Sequence, residues 1–284
     1  MPLLRNVNRD VSSDINRPIW RRVVAVGGGG GGSEEGGGAA PFNDEHSILF
    51  DGYSENITVP HHADFDFEYD TPFSLSAWSK TTDWGSQGMI GKMNNGAGSA
   101  TNGWAMGTST GTFYFFLVNT WTSPSTGGYV SGFINDGVWR NFIVTYDGTS
   151  VVSGFKMYTN GVSGTVSNYP ANTLALNSMK NTDPIQLGSW WGDSTQYGWN
   201  GNLNDVAVWD RVLTGAEATE IYNSGDPDDL LQHSASSSLV AYWTFDEAAD
   251  DATGGTGVIT DRTGNGHDGT PTNTEAEDIE EDVP

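Results

Sequence analysis

The stretch Ile185–Leu213, IQLGSWWGDSTQYGWNGNLNDVAVWDRVL, constrains this chain more than any other. Its ends alternate apolar and polar residues, with Ile185 and Leu187 before the middle and Leu203, Val206 and Val208 after it, as in strands with one buried face. Between them Trp190, Trp191, Tyr197 and Trp199 gather among Gly and Asp. The pattern predicts two core strands joined by an aromatic-rich loop. Thr214-Gly-Ala-Glu217 follows and has the form of a capping box, in which the hydroxyl accepts from the N3 amide and the carboxylate reaches back to the cap's own amide. A short helix is expected from Gly215 to about Tyr222, stopping near Gly225.

No other segment of the 284 residues sustains a helical period, whereas 38 Gly and a total of 33 Trp, Tyr and Phe suit many short strands with Gly-rich turns. The fold class is therefore all-β. A chain of this length buries one large core or two modest ones. There is no cysteine, which excludes disulfides and thiol chemistry but leaves the compartment open. No run of eighteen apolar residues occurs, so membrane insertion is not expected.

Charge is divided unevenly. Residues 1–26 carry five arginines against two aspartates, net +3, leaving 7 Lys+Arg and 34 Asp+Glu, net −27, for the rest. A body this acidic repels nucleic acid. The first 26 residues mix arginine with Leu, Ile, Val and Trp, and read as an N-terminal arm that orders on a partner surface, with Arg5, Arg9, Arg17, Trp20, Arg21 and Arg22 as its docking residues. The alternatives are a frayed terminus and phosphate binding by the arginines, the latter weakened by the lack of lysine clusters. Val23–Val26 is too short for the apolar core of a secretion signal, so Sec export is not expected. Residues 27–40 are a Gly-rich linker with a reach of roughly 20 Å, residues 41–273 form the body, and residues 274–284 are an acidic tail, expected to be solvated.

Several motifs of the body occur in a familiar order. GNLNDVAVWDRVLT at Gly201–Thr214, FSLSAWSK at Phe73–Lys80, WRNFIVTYDG at Trp139–Gly148 and KMYTNG at Lys156–Gly161 resemble those of laminin-G-like, concanavalin A-like domains. His46–Gly52 with Asn56–Pro60 resembles the family's opening. Asn204-Asp205 replaces the family's Asp-Glu and Trp209 its Tyr. The resemblance implies a two-sheet antiparallel jelly-roll β-sandwich. Asn160-Gly161 is an independent signal for a tight hairpin. LVAYWTFDE at Leu239–Glu247 and the Asp261–Gly269 turn resemble motifs that open the sandwich in many relatives; here they follow it, either completing the same sandwich or starting a truncated second copy.

Three sets of side chains are candidate sites. Trp190, Trp191, Tyr197 and Trp199, with Asp193 and Gln196, would stack on sugar rings and bond their hydroxyls, or would fill a core or subunit interface. Asp261, Asn265 and Asp268 on a Gly-rich turn, with Asp51 or Asp205 approaching from neighbouring strands, supply the hard oxygens a structural Ca²⁺ needs; the alternative is Asx-turns. Asp66, Glu68 and Asp70 would share one face of a strand, as paired carboxylates of glucanases do, but precede Pro72 and read better as a solvated acidic loop. His61, His62 and His233 lack metal-like spacing and read as surface residues. Together these features, with the resemblance to laminin-G-like modules borne on phage virions, lead to a non-enzymatic virion structural protein, such as a capsid decoration or fibre. Its arm would bind a capsid or other virion protein, and its sandwich would face glycans or neighbouring copies in a homo-oligomer. The alternatives are an extracellular carbohydrate-binding module and a glycoside hydrolase.

Overall fold

The computed structural model describes residues 42, 44–94, 101–119, 125–132, 134–169, 178–191, 197–246 and 257–284. The arm residues Arg5, Arg9, Arg17, Trp20, Arg21 and Arg22, the linker, and Asp193 and Gln196 lie outside them. In chain order the elements are β1 (Ser47–Asp51), β2 (Asn56–Val59), a 3-10 turn (Ala63–Phe65), β3 (Phe73–Lys80), β4 (Gln87–Met93), β5 (Gly103–Ser109) and β6 (Thr112–Val118). Then come β7 (Ser125–Ser131), β8 (Arg140–Tyr146), β9 (Phe155–Thr159), β10 (Val162–Ser163), β11 (Ser167–Tyr169), β12 (Ile185–Leu187) and β13 (Asn200–Trp209). Helix α1 (Gly215–Tyr222) precedes β14 (Leu239–Trp243), β15 (Thr270–Thr272) and β16 (Ile279–Glu280).

The strands form two antiparallel sheets packed as a sandwich. The first runs β10-β9-β8-β3-β13-β1-β16, with β14 also paired to β13; the second runs β11-β7-β6-β5-β4-β12-β2-β15. Phe73, Leu75 and Ala77 of β3 point together into the core between the sheets, as alternation requires, beside Phe113, Phe115 and Leu117 of β6. The Asn160–Gly161 turn takes positive φ at both residues, 52° and 70°, the backbone of a I′ hairpin. Among the described residues no helix is long and apolar enough to cross a membrane.

β13 sends Leu203, Val206 and Val208 into the core, a set that strict alternation cannot place on one face. A bulge resolves the conflict: the register against β3 shifts between Asn204 and Ala207, and Asp205 takes a left-handed φ of 46°. Beyond it, Ala207 and Trp209 face outward, where Ala218 and Ile221 of α1 and Tyr242 of β14 cover them. The helix carries its expected capping box, with Glu217 N donating to Thr214 Oγ1 at 3.2 Å and Thr214 N to Glu217 Oε2 at 2.7 Å.

The C-terminal strands join the same two sheets. β14 pairs with β13, β15 with β2 and β16 with β1. The segment expected to be a solvated acidic tail is thus folded onto the body, because its charges find partners there. The Asp282 carboxylate pairs with Lys80 and accepts from Trp139 Nε1 at 2.8 Å, and Ser47 Oγ donates to the Asp282 carbonyl at 2.6 Å.

Candidate functional site

The two outer faces of the sandwich differ. Helix α1 and the loop after it cover the first sheet, whereas the second sheet carries an apolar cluster of its own: Met93, Ala105, Phe116, Val118 and Trp190, flanked by Tyr114, Trp191 and Tyr197. Glycines make this possible. A Cβ on Gly88 would lie 2.3 Å from Trp190 Cδ1, one on Gly91 2.3 Å from Trp190 O, and one on Gly107 2.6 Å from Trp190 Nε1. The bare backbone of β4 and β5 is therefore a seat into which Trp190 settles, only 5% exposed.

Trp190 organises the other rings. Tyr197 stacks on it at 4.7 Å and 19°, Phe116 meets it edge-on at 5.6 Å, and Trp191 stands edge-on to Tyr197 at 4.9 Å. Tyr114 stacks against Phe116. Gly88 N donates to Tyr197 O at 3.0 Å and Ser189 Oγ to Trp191 O at 2.9 Å, which ties the loop to the sheet. These rings, with Ser86 and Ser109, line an open pocket of about 380 Å³. Aromatic faces and hydroxyls surround it without a charged side chain among the lining residues. The buried indole N–H of Trp190 has no acceptor among the described residues. Such a surface accepts an amphipathic, uncharged ring.

Of the residues singled out in sequence, Trp190, Trp191 and Tyr197 meet here and Trp199 does not. Trp199 is fully buried between the sheets, its Nε1 donating to Asn202 O at 3.1 Å. It precedes β13 directly, and its side chain falls on the inward side. Tyr114, Phe116 and the seat glycines were not anticipated; the signal available was the unusual pairing of Gly-rich β4 and β5 with aromatic β6.

The residues proposed for calcium occupy separate places. Asp51 accepts from the amides of Tyr53 and Ser54 at 2.8 and 3.3 Å, an Asx-turn. Asp261 accepts from Tyr242 N, Thr263 N and His267 N, Asp268 accepts from Asp261 N, and Asn265 donates to Val240 O. Asp205 is 3% exposed, its Oδ1 accepting a hydrogen bond from the Tyr242 hydroxyl. Its charged neighbours are Asp44, Asp246 and Arg262, and Arg262 pairs with Asp246 Oδ2 at 4.0 Å. Among the described residues, the buried Oδ2 atoms of Asp44 and Asp205 have no hydrogen-bond partner. Burial foremost, then the charge of Asp44, holds the Asp205 carboxyl well above the carboxylate range. Asp44 is pushed up to about 7, again chiefly by burial, against the lowering effect of the Asn204 amide.

Asp66, Glu68 and Asp70 do not form a strand face. Lys92, buried on β4, bonds Asp66 at 3.1 Å, while Glu68 accepts from Ser178 Oγ at 2.8 Å and Met179 N at 3.0 Å. His233, expected at the surface, is 8% exposed and accepts from Ala235 N at 3.0 Å through Nδ1.

Residues 51–219 match a family model described as the concanavalin A-like lectin/glucanases superfamily, Laminin_G_3. No curated protein matches the chain. Among solved structures, a putative carbohydrate binding protein from Bacteroides ovatus is 16% identical, with a TM-score of 0.53 over 80% of this chain and 58% of that one. The carbohydrate-binding module CBM40 of Ruminococcus gnavus IT-sialidase, bound to α2,3 sialyllactose, is 14% identical, with a TM-score of 0.48 over 62% of this chain and 96% of that one. The binding domain of Paraclostridial Mosquitocidal Protein 1 is 16% identical, with a TM-score of 0.45 over 59% of this chain. The chain spans 40% of the mosquitocidal domain's structure and 58% of the Bacteroides one.

Proposed function

The chain belongs to the concanavalin A-like lectin/glucanases superfamily, and from that premise we propose that it is a carbohydrate-binding module whose site is the aromatic pocket on the outer face of the second sheet. The observation that carries this reading is the seat of three glycines that admits Trp190 and arrays Tyr114, Phe116, Trp191 and Tyr197 around an uncharged pocket. Sugar rings present an apolar face to an aromatic plane and hydroxyls to polar atoms at its rim, here Ser86, Ser109 and the unpartnered indole N–H of Trp190. With no cation in the lining among the described residues and a net charge of −24, the ligand is a neutral glycan rather than a sialylated or sulfated one. The reading is a binding one: among the described residues no carboxylate lines the pocket, whereas glycosidic cleavage needs two flanking the bond.

The arm at residues 1–26 and its Gly-rich linker support a second element, attachment of the module to a larger assembly such as a virion, leaving the pocket free to engage a host-surface glycan. A structural Ca²⁺ belongs to the same reading, with the buried carboxylates of Asp44 and Asp205 as candidate ligands; supporting it are their Oδ2 atoms, which have no hydrogen-bond partner among the described residues. The ion would add to the positive charge that Arg262 alone brings near them. A glycan array with the full chain tests the central claim. The expected result is binding to neutral glycans that disappears in Trp191→Ala; binding confined to sialylated glycans, or unchanged in the variant, refutes it.

A further inference from the structure

The chain has five histidines, and the fold brings two of them together from opposite ends of the body. His62 caps the 3-10 turn Ala63–Phe65, which also carries Asp64. His267 arrives from the C-terminal turn Asp261–Gly269 and is 3% exposed. Asp64 Oδ2 lies 3.1 Å from His62 Nδ1 and 3.1 Å from His267 Nε2. One donor atom from each of the three side chains lies within 4.8 Å of the other two. Their approach is fixed from behind: His267 N donates to Asp261 Oδ2 at 3.2 Å, its carbonyl accepts from Trp243 Nε1 at 2.9 Å, and its ring stands edge-on to Phe65 at 4.6 Å.

His267 Nε2 and Asp64 Oδ2 meet here as a hydrogen bond, and His62 Nδ1 accepts from Asp64 N at 3.3 Å, long for such a bond. A cation taking the Nδ1 lone pair would replace that one long bond and give the imidazole and carboxylate donors a common centre. The donors, two imidazole nitrogens and one carboxylate oxygen, suit Zn²⁺ and its neighbours rather than Ca²⁺, which takes oxygens. A tetrahedral ion with bonds of about 2.0–2.2 Å holds its donors roughly 3.3 Å apart, close to the 3.1 Å found for the two contacts to Asp64; the two imidazole nitrogens, within 4.8 Å of each other, would draw together around it. His62 and Asp64 are exposed on the open side, where water completes the sphere.

We propose that His62, Asp64 and His267 form a binding site for a zinc-type divalent cation. The ion would tie the C-terminal turn to the 3-10 turn, joining residues 203 positions apart in sequence. The site shares no residue with the glycan pocket or the Asp44–Asp205–Asp246 cluster.

The test titrates Zn²⁺ into the chelator-treated full chain by calorimetry, in excess Ca²⁺ to occupy oxygen-only sites, and repeats it with Co²⁺ to read visible d–d absorption. One equivalent should bind, with the intense spectrum of a tetrahedral nitrogen–oxygen site. His62→Ala and Asp64→Asn, both at exposed positions, should each weaken binding by about tenfold or more, with unchanged far-UV circular dichroism. His61→Ala should leave it intact, since His61 turns instead toward Asp66, 3.8 Å away. His267→Ala is not relied on, because its burial risks the fold. Absence of one-equivalent binding, or affinity unchanged in both His62→Ala and Asp64→Asn, overturns the proposal.

Discussion

Asp44 and Asp205 make stability fall as pH rises, against the usual behaviour of carboxylates. Asp44 has a folded pKa of about 7, with 3.8 as its ordinary value, raised by burial and by the charges of Asp246 and Asp226. Between those values the folded chain keeps a proton that the unfolded chain has released, so each pH unit costs the folded state about 1.4 kcal/mol. The full span is worth about 4 kcal/mol and the interval from pH 5 to 7 about 2–3 kcal/mol. Asp205, raised in the same direction, steepens the fall. The groups held low, Asp136 and Glu217 at about 2, have completed their effect below this window. Urea unfolding at pH 5, 6, 7 and 8 in chelator, compared at constant m-value, measures it. Asp44→Asn should flatten the slope, because the amide never ionises, and saturating calcium should flatten the wild-type slope, because the ion replaces the proton. Stability that is level or rising from pH 5 to 7, or an equal slope in Asp44→Asn, would refute the reasoning.

Trp191→Ala should weaken binding of a neutral glycan by about 2 kcal/mol, roughly thirtyfold, from the loss of about 80 Å² of apolar contact, as read by calorimetry. Gly91→Ala places a Cβ 2.3 Å from Trp190 O; it should destabilise the fold by about 1–3 kcal/mol and abolish glycan binding from behind the pocket, without touching the ligand. Thr214→Ala removes the helix cap and should cost about 1 kcal/mol in denaturant unfolding. Arg211 beside Glu217 holds the latter's carboxyl at about 2, so its stabilisation is present above about 4.5 and lost as pH falls toward 2; melting curves of Glu217→Gln should lack that acid-sensitive portion.

Much of the first-order plan was legible. Alternation alone sets Phe73, Leu75 and Ala77 on one face, Thr214 and Glu217 mark the start of α1, and the Asn160–Gly161 hairpin follows from its need for positive φ. These are local facts, settled within a few residues. β7, Ser-Thr-Gly-Gly-Tyr-Val-Ser, was missed because it has no apolar alternation and is held by pairing with β6 and β11. The bulge at Asp205 was written in the spacing from Leu203 to Val206, which period two forbids, but its consequence depends on β3 and β14.

The sites were less legible. Trp190 and Trp199 look alike in sequence, yet one lies in a glycine seat on the outer face and the other in the core, a distinction made by Gly88, Gly91 and Gly107 about a hundred residues earlier. His62 gave no metal signal because its partner is His267, and the acidic terminus read as solvated because Lys80 and Trp139 are distant in the chain. The sequence by itself determined the strand class, the turns, the helix cap and the charge, since backbone sterics, short-range hydrogen bonds and composition decide them. Only the tertiary structure decided which aromatic faces solvent and which carboxylates and imidazoles meet. Those outcomes depend on pairing between strands remote in the chain, and alternation within one strand carries no information about its neighbours.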